Sequence, residues 1–153
     1  MKKYSIEGFI DNIKSGSRLG YKIFANNLDE LENKEDYYYF VSIGDNEKRS
    51  YRYKEVIKRN LNIINVIDKT AILSENIIFR RGIFVDKLAI INNDARIVEN
   101  IVINTKSLIE YGYETGECYI NIDDIFAETV NTGVEYQVFL QKEGQGDIWF
   151  GGD

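Results

Sequence analysis

Apolar and polar positions alternate along the start of the chain. Tyr4, Ile6, Gly8 and Ile10 fall on one side of an extended backbone, and Ser5, Glu7, Phe9 and Asp11 on the other, which predicts a strand over residues 3–13. The turn cluster Lys14-Ser15-Gly16-Ser17 and the run Tyr21-Lys22-Ile23-Phe24 complete a predicted hairpin. After a polar segment, residues 26–36, the run from Tyr37 to Ile43, the turn Gly44-Asp45-Asn46 and the stretch Glu47 to Lys54 predict a second, clearer hairpin. Tyr53, Ile57, Leu61 and Ile64 share a helical face, while Leu61 to Ile67 also suits a buried strand. That segment reads as a short helix or bend leading into a strand.

Further on, apolar runs at Ile77 to Phe79, Ile83 to Ile91 and Ile97 to Leu108 are broken by Arg80-Arg81-Gly82 and Asn92-Asn93-Asp94. They predict more strands. Cys118 to Ile122 and Val134 to Leu140 alternate again, Asp123 to Glu128 resembles one or two helical turns with acids at its start, and Ile148-Trp149-Phe150 follows a glycine-rich turn. No internal repeat, linker or low-complexity block stands out. Strands at short spacing, without a strand-then-long-helix alternation, predict one β-rich or all-β domain over residues 1–153. The expected form is an antiparallel sandwich or open barrel with one or two short helices.

Composition agrees with the β reading: 23 isoleucines and 11 tyrosines stand against 8 leucines and 5 alanines. At 153 residues, 44% hydrophobic and 29% charged, the chain can bury a core without disulfides, and its single Cys118 cannot form an internal one. Cys118 is expected as a buried thiol beside Ile120 and Ile122. Met1-Lys2-Lys3 runs straight into alternating polar residues, so no signal peptide or transmembrane segment is expected, and synthesis is placed in the cytoplasm.

Histidine is absent from the sequence, which removes imidazole-activated nucleophiles, histidine pH switches and the usual zinc ligand sets. No metal or cofactor is expected. The charges that remain are uneven. Residues 37–109 carry 12 lysines and arginines against 8 acids, whereas residues 110–153 carry Lys142 alone against 10 acids. The acidic third is a solvated face, a docking surface for a basic partner or a carboxylate calcium site, although the EF-hand spacing is missing.

Lys48, Arg49, Arg52, Lys54, Lys58 and Arg59, with Tyr51 and Tyr53 among them, form the densest basic cluster. On a strand they would make a cationic row with stacking aromatics, able to hold a phosphate, a nucleotide or single-stranded nucleic acid. The competing reading is the solvent face of an edge hairpin, and a pI of 4.8 speaks against a dedicated nucleic-acid binder. Trp149 and Phe150 are candidates for either a core strand or an aromatic anchor in an interface. Two carboxylates could support hydrolysis, but nothing selects a pair among 25 acids.

In its segments YYYFVSIGDNEKRSYRYK and YINIDDIFAETVNTGVEYQVFL, and in its isoleucine-, asparagine- and tyrosine-rich texture, the chain resembles the smallest OrfX proteins of clostridial botulinum neurotoxin gene clusters. That resemblance implies a non-enzymatic accessory protein that associates with a larger OrfX-type partner or with itself and leaves the cell with a toxin complex. It assigns no lipid-binding residue. The reading from the residues is a non-enzymatic binding or assembly module; the alternatives are a small-ligand or nucleotide-binding protein of the phage-inhibitor kind, and a carboxylate-based hydrolase.

Overall fold

The computed structural model describes residues 4–12, 15–115 and 138–143. The predicted strand at Cys118 to Ile122, the turns at 123–128, and Trp149 and Phe150 lie outside them. The chain separates into two compact units, one comprising residues 1–64 and 134–153, the other residues 65–133. Among the described residues no helix is long and apolar enough to cross a membrane.

The first unit is built on a mixed sheet. Its strands are β1 (Tyr4–Ile10), β2 (Ser17–Arg18), β3 (Tyr21–Ala25), β4 (Tyr38–Val41), β5 (Asn62–Ile63) and β14 (Val138–Glu143), in the order β2-β3-β1-β14-β4-β5. The predicted first hairpin is not formed, because β1 and β3 pair in parallel with Phe9 opposite Ile23. The tight reversal comes later, between β2 and β3, where Leu19 (φ 48°) and Gly20 (φ 82°) both take the left-handed conformation that two-residue hairpin turns need. Gly8 is no turn residue either. A Cβ there would lie 2.3 Å from the Lys22 carbonyl oxygen and 2.5 Å from the Phe24 ring, so its bareness lets β3 close on β1.

The second predicted hairpin is also replaced, this time by a strand, a turn and a helix. Helix α1 (Asn46–Lys58) begins where the Asp45 carboxylate accepts a hydrogen bond from the Lys48 amide at 2.9 Å. Its inward residues Arg49, Tyr53 and Val56 follow helical spacing, and Tyr53 and Val56 pack with Tyr39, Val41, Ile43 and Leu61 in the core of this unit. The alternation at residues 48–54 was thus a weaker signal than the cap and the i, i+4, i+7 pattern beneath it. The short helix or bend expected from Tyr53 onward is met only in part: α1 ends at Lys58, so Leu61 and Ile64 lie beyond it, and the strand that follows is β5.

The second unit is a six-residue repeat wound into a three-faced parallel coil. Two-residue strands recur at β6 (Val66–Ile67), β7 (Ile72–Leu73), β8 (Ile78–Phe79), β9 (Phe84–Val85), β10 (Ile90–Ile91), β11 (Arg96–Ile97), β12 (Val102–Ile103) and β13 (Leu108–Ile109). Each pairs in parallel with the strand eighteen residues away, giving the sheets β6-β9-β12, β7-β10-β13 and β8-β11. From β7 onward the chain turns through one left-handed residue per repeat: Asn76, Gly82, Leu88, Asp94, Asn100, Lys106 and Gly112, all with φ between 58° and 72°. From β8 onward the second residue of each strand packs into the core, and Val85, Ile91, Ile97, Ile103 and Ile109 are at most 1% exposed. Ile83, Ala89, Ala95 and Ile101 fill the position two residues before, completing a core stacked along the coil axis.

The protein is therefore β-rich, as the composition predicts. The antiparallel sandwich or barrel is not what the described residues form: the coil strands are parallel and stack as open ladders. The absence of a repeat is corrected as well, because the period lies in backbone conformation and inward side chains and is blurred by variable outward residues.

Candidate ligand site at the carboxyl edge of the first unit

Strand β14 runs antiparallel to both β1 and β4, β3 is parallel to β1, and β5 is parallel to β4. Four strands therefore point the same way, and the residues following β1, β3 and β4 emerge at one edge. Open sheets with parallel strands bind ligands outside their carboxyl ends, where the loops diverge and backbone polar groups are available.

The group after β1 is Asp11, 1% exposed, whose amide donates to the Ala25 carbonyl at 3.1 Å and whose Oδ2 lies 3.6 Å from Arg18 Nη1. After β3 come Asn26 and Asn27, organised by Glu30: its carboxylate accepts from the Asn26 amide at 3.0 Å and from Asn27 Nδ2 at 2.7 Å. Beyond β4, Ser42 leads to the exposed Gly44-Asp45-Asn46 turn and the start of α1. Arg49 locks that turn from within. Only 4% exposed, it donates to the Ile43 and Gly44 carbonyls at 3.1 and 3.2 Å and to Asn46 Oδ1 at 2.7 Å.

The basic cluster from the sequence is dispersed around α1. Arg49 is inside, and Tyr53 is 7% exposed in the core. Arg52 is 2.6 Å from Glu55 and lies over the Tyr51 ring at 5.4 Å. Lys48, Tyr51 and Lys54 remain exposed. The structure joins Tyr51 with Arg52 but forms no strand-like cationic row. Asp11, Asn26 and Ser42 were not singled out from the sequence; their shared edge depends on β1 and β3 being parallel, and the first 25 residues read more simply as a hairpin. Among the described residues no cluster of carboxylates, cysteines or histidines could hold a metal ion.

Chemically, the edge presents carboxamides, a half-buried hydroxyl and turn backbone, with the Asp11 carboxylate buried behind it and the nearest guanidinium groups turned toward Asp11 and the β4–α1 turn. Such a set accepts hydrogen bonds from hydroxyl and amine groups. The molecule thus combines an open, mixed sheet carrying a polar carboxyl edge with a hexapeptide-repeat coil. Residues 1–56, a little over a third of the chain, match the family model described as the PglD N-terminal domain. The match runs from β1 into α1 and ends before the coil.

Proposed function

We propose that this chain is an acetyltransferase-like protein whose first unit binds a small hydroxyl- or amine-bearing molecule at the carboxyl edge. The observation that carries the reading is the match of residues 1–56 to the N-terminal domain of an acetyltransferase, PglD. The chemistry of the edge supports it, because an acetyl acceptor is an amine or a hydroxyl, and the carboxamides and turn backbone exposed at the edge include acceptors for either. With histidine absent from these 153 residues, removing the acceptor's proton would fall to a carboxylate or another non-imidazole group. Calorimetric titration with a panel of aminosugars, nucleosides and nucleotide sugars tests the binding half, and thiol release from acetyl-coenzyme A with each acceptor tests transfer. Asn26→Ala is expected to weaken binding of the responding compound several-fold, the worth of one neutral hydrogen bond. Unchanged binding in a folded variant would move the site elsewhere.

A second reading, a non-enzymatic binding and assembly protein, is favoured by exposed apolar residues on the coil: Ile72 at 57%, Leu88 at 49% and Leu108 at 40%. A toxin-cluster accessory role is its narrower form. Co-purification of the chain with a larger OrfX-type protein, together with inactivity across the acceptor panel, would support it.

A further inference from the structure

The β2–β3 hairpin turns on a residue that the fold itself disfavours. Leu19 takes the left-handed conformation (φ 48°) and is 78% exposed, the highest value among the large apolar side chains of the described residues. A leucine there strains the backbone and gains little burial in return, and such a residue points to a use outside the chain's own stability. Its neighbours are of one kind. Lys22 is exposed on β3 with its ammonium 5.3 Å from the centre of the Phe24 ring, and Phe24 is itself 38% exposed. Tyr21 meets the buried Phe9 edge-on at 6.1 Å and is 39% exposed. The charge around the turn is one-sided as well. In a chain with 25 acids and a net charge of −6, residues 12–28 hold Lys14, Arg18 and Lys22 and no acid, the longest acid-free stretch in the sequence. The acids that the sheet brings beside it are withdrawn: Asp11 is 1% exposed next to Arg18, and half-buried Glu7 accepts from the Ser5 hydroxyl at 2.9 Å.

We propose that this hairpin docks the first unit on an anionic lipid surface, with Leu19 entering the boundary between headgroups and acyl chains, Tyr21 and Phe24 lying at that boundary, and Lys22 meeting headgroup phosphates. Apolar tip, ring and cation in that order match the layers of the interface, where aromatic rings take the headgroup level and a lysine stem carries its charge outward past apolar surface. An apolar pocket on another protein would also cover Leu19, but it would not call for a cationic, acid-free surround in an acidic chain. An anionic lipid surface does, because it repels the rest of the molecule and attracts this patch. One leucine and a few cations give weak, reversible attachment, since stable anchoring needs more apolar depth. The turn precedes β3 and the candidate ligand edge follows it, so the two lie at opposite ends of that strand and the proposal is independent of what the edge binds.

Flotation of the full chain with vesicles of phosphatidylcholine, alone or mixed with phosphatidylglycerol, tests this at low and high salt. The chain is expected to float with the mixed vesicles at low salt and to be released at high salt. Leu19→Asn is expected to weaken binding roughly tenfold while raising the melt, and Leu19→Gly, also at ease in a left-handed turn, to weaken it without lowering the melt. A leucine with a merely structural role would not combine lost binding with undiminished stability. Lys22→Glu is expected to weaken binding several-fold, and Leu19→Trp, which keeps the strain and adds an interface-seeking ring, to strengthen it. Failure to float with either vesicle overturns the proposal and leaves a protein pocket as the cover of Leu19. Equal binding to the two vesicle types overturns it too, as does binding unchanged in both Leu19→Asn and Leu19→Gly.

Discussion

Leu19 and Leu88 both sit in left-handed backbone, a conformation that costs a non-glycine residue roughly 1–2 kcal/mol. What each regains by burial separates them. Leu88 is 49% exposed and keeps about half of a leucine's transfer energy, close to cancelling the strain. Leu19 is 78% exposed and keeps little. Leu19→Asn puts an asparagine directly before Gly20, the preferred pair for a two-residue hairpin turn, and is expected to stabilise the protein by about 1 kcal/mol in thermal or urea melts. Tyr39 has the opposite character. It is fully buried and donates to the Lys34 carbonyl at 2.7 Å, and burial, with Glu35 and Tyr37 adding, pushes its phenol well above the ordinary value. The fold thus retains a proton that the unfolded chain releases near pH 10, so this stabilising contribution is complete below about pH 10 and fades as pH rises toward the folded value. Tyr39→Phe is expected to cost about 1 kcal/mol at neutral pH and to flatten the alkaline fall in stability.

Among the elements, α1 shows how a short cap outweighs a longer alternation. The stretch Glu47 to Lys54 alternates well enough to suggest a strand. As a strand, however, it would leave the Asp45 carboxylate without the amide it caps and would put Arg49 and Tyr53 on the same face as Tyr51. As a helix it buries Arg49, Tyr53 and Val56 and leaves Lys48, Tyr51 and Lys54 in water. Asp45→Ala is expected to lower stability by about 1 kcal/mol, the ordinary value of an N-cap, read as a shifted denaturation midpoint with unchanged slope.

At the scale of the whole molecule, the eighteen-residue turn of the coil is a unit that can be removed. Deleting residues 83–100 joins Gly82 to Ile101, which takes the inward place of Ile83, and keeps every left-handed residue six positions from the next. That variant is expected to retain a sheet-dominated far-ultraviolet circular dichroism spectrum and a cooperative, lowered melt, as removal of one repeat from a stack requires. Deleting residues 83–85 alone moves turn residues into strand positions, and is expected to abolish cooperative unfolding.

The β character of the chain was legible in its isoleucines and short apolar runs, because β-branched side chains suit an extended, half-buried backbone whatever its partners. Of the helix, only the end from Tyr53 to Lys58 was legible in its spacing, while its first turns read as a strand. Strand direction was not. Alternation says which side of a strand faces inward and nothing about which neighbour it meets, so β1 and β3 read as a hairpin although they pair in parallel. The coil was hidden for a related reason: its inward positions tolerate Ile, Val, Phe and Ala alike, and its turns tolerate Asn, Asp, Gly, Leu and Lys. Only stacking at eighteen residues shows them to be equivalent. The same stacking decided the surface. Ile72, Ile90 and Leu108, far apart in the sequence, become neighbours on one face because the winding places every eighteenth residue at the same position.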